Sequence, residues 1–121
     1  MAGGADTGCM LSFQRLEVYQ RSIEFLAHAL EVIAELPSKG HAEIADQLRR
    51  AAQSRPLNIA ESAGRTSRPD VAKHYTIARG SAMECAAVLD VLKVQGTIKP
   101  HLYERGIDLL TSIVAMLTKM I

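Results

Sequence analysis

Residues 67–96 read SRPDVAKHYTIARGSAMECAAVLDVLKVQG. Within them Val71, Tyr75, Ala78, Ala82, Cys85, Leu89 and Leu92 are spaced by alternating fours and threes, which keeps one stripe of a helix turned to a core. Ser67 offers a capping hydroxyl, and Pro69 falls in the first turn, where a missing N–H costs nothing. Gly96 ends the run. The stretch predicts one long amphipathic helix, and the rest of the chain can be divided by the same punctuation.

After it, a helix starts near Pro100 and continues to the C-terminus, with Tyr103, Gly106, Leu110, Ile113, Leu117 and Met120 as its inner stripe. Before it, a helix over His41–Ala63 is closed by Gly64, and another over Phe13–Glu35 has Ser12 as N-cap and Leu36-Pro37 as its stop. Connections this short force neighbouring helices to be antiparallel, so residues 12–121 are expected to form an all-α, up-down-up-down four-helix bundle. Residues 1–11 are expected to be a disordered N-terminal segment. The composition agrees: of 121 residues 48% are apolar but only 4% aromatic, with no Trp. Sheets draw on aromatic and β-branched residues far more heavily than that. The length supports one core, and a net charge of +1 excludes a disordered polyelectrolyte.

Several function classes fall away. The longest apolar runs, such as Ile113 to Leu117, are far short of the roughly 18–20 residues a membrane span needs. The start, Met1 to Met10, lacks the basic and apolar regions of a secretory signal, so a cytoplasmic protein is expected, with Met10 a candidate start codon. Cys9 and Cys85 form no CxxC pair and are read as two unbridged thiols. No Glu-x-x-His, HExxH, P-loop or GxSxG occurs, so neither metal nor cofactor nor catalytic constellation is expected. His28, His41, His74 and His101 are read as solvated. One enzymatic alternative remains. Arg68 and His74 have five residues between them, which resembles the Arg–His spacing of HEPN-type helical ribonucleases.

The first helix carries two apolar stripes. Leu16, Tyr19, Ile23, Leu26, Leu30 and Ile33 form one, and Val18, Ser22, Phe25, Ala29, Val32 and Leu36 form the other. The fourth helix has Ile107, Val114 and Ile121 off its main stripe. This surplus predicts a homo-oligomer that uses the two terminal helices, with Val18, Phe25, Val32, Ile107, Val114 and Ile121 at the interface.

The second helix is polar along one face, through Gln47, Arg50, Ser54, Asn58, Glu61 and Arg65. Pro56 lies mid-helix, where an irregularity is expected, and the third helix has its own interruption at Gly80-Ser81. Pairing about a turn centred near Arg65 sets Gln47 opposite Glu84, Arg50 opposite Gly80-Ser81 and Ser54 opposite Thr76. Two readings stand: an interhelical polar network that fixes register, or a surface for a polar ligand or nucleic acid. Charge is also uneven. Residues 39–79 hold eight bases against four acids, while the remainder holds six against nine. Arg49, Arg50, Arg55, Arg65, Arg68, Lys73 and Arg79 thus mark a basic edge that could contact RNA or DNA backbones without reading bases. A solvated face with locally paired arginines is the alternative.

Gln47-Leu48-Arg49-Arg50-Ala51-Ala52-Gln53-Ser54, then Pro56-Leu57-Asn58-Ile59-Ala60-Glu61, then Ile77-Ala78-Arg79-Gly80-Ser81 and Glu84 resemble the signature of the 23S rRNA intervening-sequence protein family. Leu16-Glu17-Val18-Tyr19-Gln20 and Leu36-Pro37 fit it as well. The resemblance implies a four-helix bundle assembled as a pentameric ring. Some members are encoded within insertions in ribosomal RNA genes, and a related group serves as accessory proteins of diversity-generating retroelements. It implies no catalytic residue. Arg55 stands where the pattern usually has an aliphatic residue, and Ser62 where Gly commonly follows Ala-Glu. The function expected is a non-enzymatic scaffold or accessory protein that binds nucleic acid weakly, with a pure protein-interaction module as the alternative.

Overall fold

The structure, a computed structural model, describes residues 11–121. The expected disorder of the N-terminal segment up to residue 10, the Met10 start and Cys9 lie outside the described residues. A single 3-10 turn, Ser12–Arg15, precedes four helices: α1 (Glu17–Ala34), α2 (Ala42–Ala63), α3 (Arg68–Gln95) and α4 (Pro100–Met120). There is no strand among the described residues. Each helix packs on its neighbours in the chain and α4 closes against α1, while the backbones of the diagonal pairs stay apart. The result is a square bundle in which α1/α2 and α3/α4 are opposite faces.

The capping signals act where the sequence places them. Ser67 Oγ accepts from Asp70 N at 3.2 Å at the start of α3. At its end Gly96 takes a left-handed backbone (φ 71°), and Thr97 N–H reaches back to Leu92 O at 3.0 Å. This closes the helix with a bond pattern that only a residue tolerant of positive φ supports. α2 and α3 run without a break through Pro56 and Gly80-Ser81, and Asn58 Nδ2 donates to Ser54 O at 2.8 Å one turn around the proline.

Ser12 does not cap the first long helix. Leu16 is extended (φ −67°, ψ 130°) and serves as its N-cap, and the preceding turn folds Phe13 edge-on against Tyr19 with ring centroids 5.0 Å apart. In one straight helix residues six apart point about 120° apart and lie about 9 Å apart along the axis, so this aromatic contact requires the break.

The larger correction concerns which stripe of α1 faces inward. Val18, Phe25 and Val32, expected at a subunit interface, are 3%, 0% and 1% exposed and belong to the chain's own core. Ile23 and Leu30 of the other stripe are outside, at 40% and 46%. His28 is also buried, not solvated, and its Nε2–H donates to Leu102 O on α4 at 2.7 Å. That bond needs a glycine opposite, because a Cβ at Gly106 would stand 2.7 Å from Leu89 Cδ1 and 3.3 Å from His28 Nε2. His28 and Gly106 together rotate α1 toward α4, turning the Val18-Phe25-Val32 stripe to the centre.

Candidate functional site

The polar face of α2 meets α3 along a ladder of side-chain bonds. Gln47 Nε2 donates to Glu84 Oε2 at 3.3 Å, as the register predicts. Ser54 meets Ser81 at 2.8 Å and not Thr76, whose hydroxyl donates to Ala72 O on its own helix. His74 Nδ1–H donates to Asn58 Oδ1 at 3.0 Å, and Asn58 Nδ2 donates to Ser54 Oγ at 3.2 Å. Ser81 also donates to Ile77 O at 3.1 Å. Each hydroxyl carries one hydrogen. The order that satisfies every group therefore runs from His74 through Asn58, Ser54 and Ser81 to the Ile77 carbonyl. Ser62, at the position where glycine is commoner, donates to Val71 O at 3.3 Å and adds a rung. Apart from Arg50 and Glu61, these polar residues bind one another across the two helices and specify register. Arg50 pairs instead with Asp46 at 2.6 Å, Glu61 pairs with Arg65 at 3.2 Å, and Gly80 faces open space.

The seven bases do not form one edge. Arg49 and Arg50 both pair with Asp46, at 3.4 and 2.6 Å, and Arg65 pairs with Glu61. These are exposed intrahelical pairs, worth little individually. Arg79 reaches Thr118 Oγ1 on α4 at 3.4 Å. Arg68 and Lys73 are exposed near the α2–α3 turn. Arg55 is a correction: expected to touch nucleic acid, it has no exposed surface at all. Its guanidinium lies over the Phe25 ring, 4.8 Å from the centroid, and Nη1 donates to Cys85 Sγ at 3.7 Å. An α2 position between Ala52 and Ile59 on the core face is interior whatever residue occupies it, and the family's usual aliphatic residue was the sequence signal for that.

Arg68 and His74 do not converge. Arg68 lines a hollow with Thr66, Met120 and Ile121 at the end of α4, whereas His74 turns to Asn58 on α2. His41 Nδ1–H donates to Lys39 O at 2.8 Å, and His101 lines the polar α1/α4 seam beside the Arg105–Glu24 ion pair. Among the described residues no three His, Cys, Asp or Glu side chains are grouped to hold a metal ion. No described helix is long and apolar enough to cross a membrane.

Two grooves gather part of the exposed apolar surface. One, between α1 and α2, has a volume of about 430 Å³ and is lined by Phe13, Tyr19, Ile23, Leu26, Pro56 and Leu57 among others. The other, between α3 and α4, is about 250 Å³ and is lined by Ala82, Met83, Ala86, Ile107, Leu110 and Val114 among others. Leu57 is 66% exposed and Met83 54%. Ile107 and Val114 therefore belong with α3, and Ile121 is exposed at the chain end. The surplus is not one patch shared by α1 and α4; the outer seam between those helices is polar.

The described residues thus form an antiparallel helical bundle with two unlike apolar grooves and a polar ladder between α2 and α3. The sequence profile of the 23S rRNA-intervening sequence protein family matches residues 14–119, and the chain belongs to that family. Its fold is similar to the 1.70 Å crystal structure of a protein with unknown function from the S23 ribosomal protein family of Bacteroides thetaiotaomicron. The TM-score is 0.79 at 25% identity, covering 85% of this chain and 96% of that one. No curated protein matches the chain.

Proposed function

We propose that the protein is a non-enzymatic, self-assembling scaffold or accessory module of the cytoplasm, built by docking the α3/α4 groove of one copy against the α1/α2 groove of the next. The observation that carries this is the placement of the exposed apolar residues, with Leu57 and Met83 on opposite faces of the square. Unlike patches on opposite sides pair head to tail, and a head-to-tail contact that closes makes a ring. Five subunits is the number the family resemblance implies. Light scattering at micromolar concentration is expected to give one multi-subunit species, and a monomer would overturn the proposal. Leu57→Glu and Met83→Glu are each expected to yield monomers, since a carboxylate in an apolar contact loses its hydration without a partner. Mixed together they are expected to form a dimer and nothing larger, because each variant keeps one intact groove. If the mixture stays monomeric, the head-to-tail pairing is wrong.

A second role, contact with an RNA or DNA backbone, is favoured by one observation. Arg65, Arg68 and Lys73 are all exposed at one end of the α2–α3 hairpin, with Asp70 the one acid between them. In a ring this cluster repeats once per subunit, which multiplies a weak single contact. Filter binding across a salt series is expected to show affinity that falls with salt. Arg65→Gln/Arg68→Gln/Lys73→Gln is expected to reduce it at least tenfold, and unchanged binding would assign the protein to protein partners alone.

A further inference from the structure

Arg55 is the one charged side chain that the bundle encloses completely, and its surroundings leave part of its chemistry unmatched. The Phe25 face covers one side of the guanidinium and Cys85 Sγ takes Nη1, but Nε and Nη2 have no acceptor among the described residues. These two atoms form the side-on edge of the group, where two N–H bonds run parallel toward a single acceptor position. No carboxylate lies within ion-pair distance: the nearest acid along α3, Glu84, is engaged with Gln47 on the outside. Cys85 supplies no countercharge. Burial pushes its thiol pKa up against the opposing pull of Arg55, so the sulfur keeps its proton at neutral pH and accepts only weakly. Burial pushes the Arg55 pKa down, but from a value so high that the group stays charged.

We propose that the Nε/Nη2 edge of Arg55 is an internal anion site that takes up a monovalent, halide-sized ion as the chain folds. An enclosed cation without a countercharge is costly, and the ring face of Phe25 offsets only part of that cost. Enclosure sets the ligand class: chloride or bromide is small, sheds water readily and accepts two N–H bonds at once. A phosphate group is larger and far more costly to dehydrate in an enclosed site, and a partner's carboxylate arrives only after the chain has folded around the side chain. The site is independent of the grooves and of the basic turn, so it stands whether or not the protein assembles or binds nucleic acid.

Thermal unfolding of the wild-type protein and of Arg55→Met, in sodium chloride, bromide and fluoride series at constant ionic strength, tests this. Methionine suits the site because an aliphatic residue is usual there. The wild-type midpoint is expected to rise saturably by several degrees in chloride and bromide relative to fluoride, and Arg55→Met is expected to lose that difference. Anomalous diffraction from wild-type crystals in bromide is expected to show a peak within hydrogen-bonding distance of Nε and Nη2. The proposal is overturned if Arg55→Met keeps the same halide dependence, or if no bromide peak stands at that edge. A bromide peak without any halide dependence in solution also overturns it, as binding at crystal concentration only. So does loss of the Cys85 S–H vibrational band in a Cys9→Ser background at neutral pH, because a thiolate would then be the counter-ion.

Discussion

Phe25→Ala is expected to destabilise the protein by about 3–5 kcal/mol, read as a lower urea midpoint. Phe25 is fully buried on α1 and packs on Arg55 of α2, so truncation leaves a cavity that rigid helices cannot close. The same ring also supports the Arg55 guanidinium at 4.8 Å, and without it a buried cation loses its best neutral neighbour. The two losses are coupled. Arg55→Met in the Phe25→Ala background is therefore expected to recover part of the stability, and strict additivity of the two substitutions would show that ring and charge do not interact.

Gly106→Val is expected to cost about 1–3 kcal/mol or more, as overpacking does in a filled core. An added Cβ would stand 2.7 Å from Leu89 Cδ1, and Leu89 has no exposed surface to move into. The same atom would press on His28 Nε2 at 3.3 Å and disturb its bond to Leu102 O, the polar contact that holds α1 to α4 at this level. Gly106→Ala is expected to be milder, because alanine returns about 1 kcal/mol of helix propensity. Thermal melts of the two variants check the order, and equal midpoints would mean that Leu89 and His28 give way without cost.

Much of the bundle is legible in the residues alone. The steps of α3, the Ser67 cap and the Gly96 stop are local signals, because capping and helical periodicity depend on residues within a turn of one another. The pairing of Gln47 with Glu84 follows from loop length and antiparallel geometry, so it too is readable to within a turn. What misled was rotation. On α1 two apolar stripes run side by side, and nothing within that helix says which one the bundle encloses. The answer lay in His28 and Gly106, residues 78 apart in the chain, whose close approach fixes the rotation of α1 against α4. A histidine on one helix and a glycine in the inner stripe of another were the available signal, and it has no meaning until the two helices are adjacent.

Arg55 was misplaced for a related reason. Its charge argued for the surface, and it counted toward the basic edge; its position, three residues after Ala52 and four before Ile59, argued for the interior. Position prevailed because a helix in a packed bundle cannot turn one residue outward without turning its neighbours. The sequence by itself determined the four helices, the Ser67 cap and Gly96 stop of α3, the antiparallel order and the pairing of Gln47 with Glu84. Only the tertiary structure decided which face of α1 is core, where the surplus apolar surface lies and that a guanidinium sits inside. Those are properties of helices against one another, and a helix carries no local record of its rotation when more than half of its circumference is apolar.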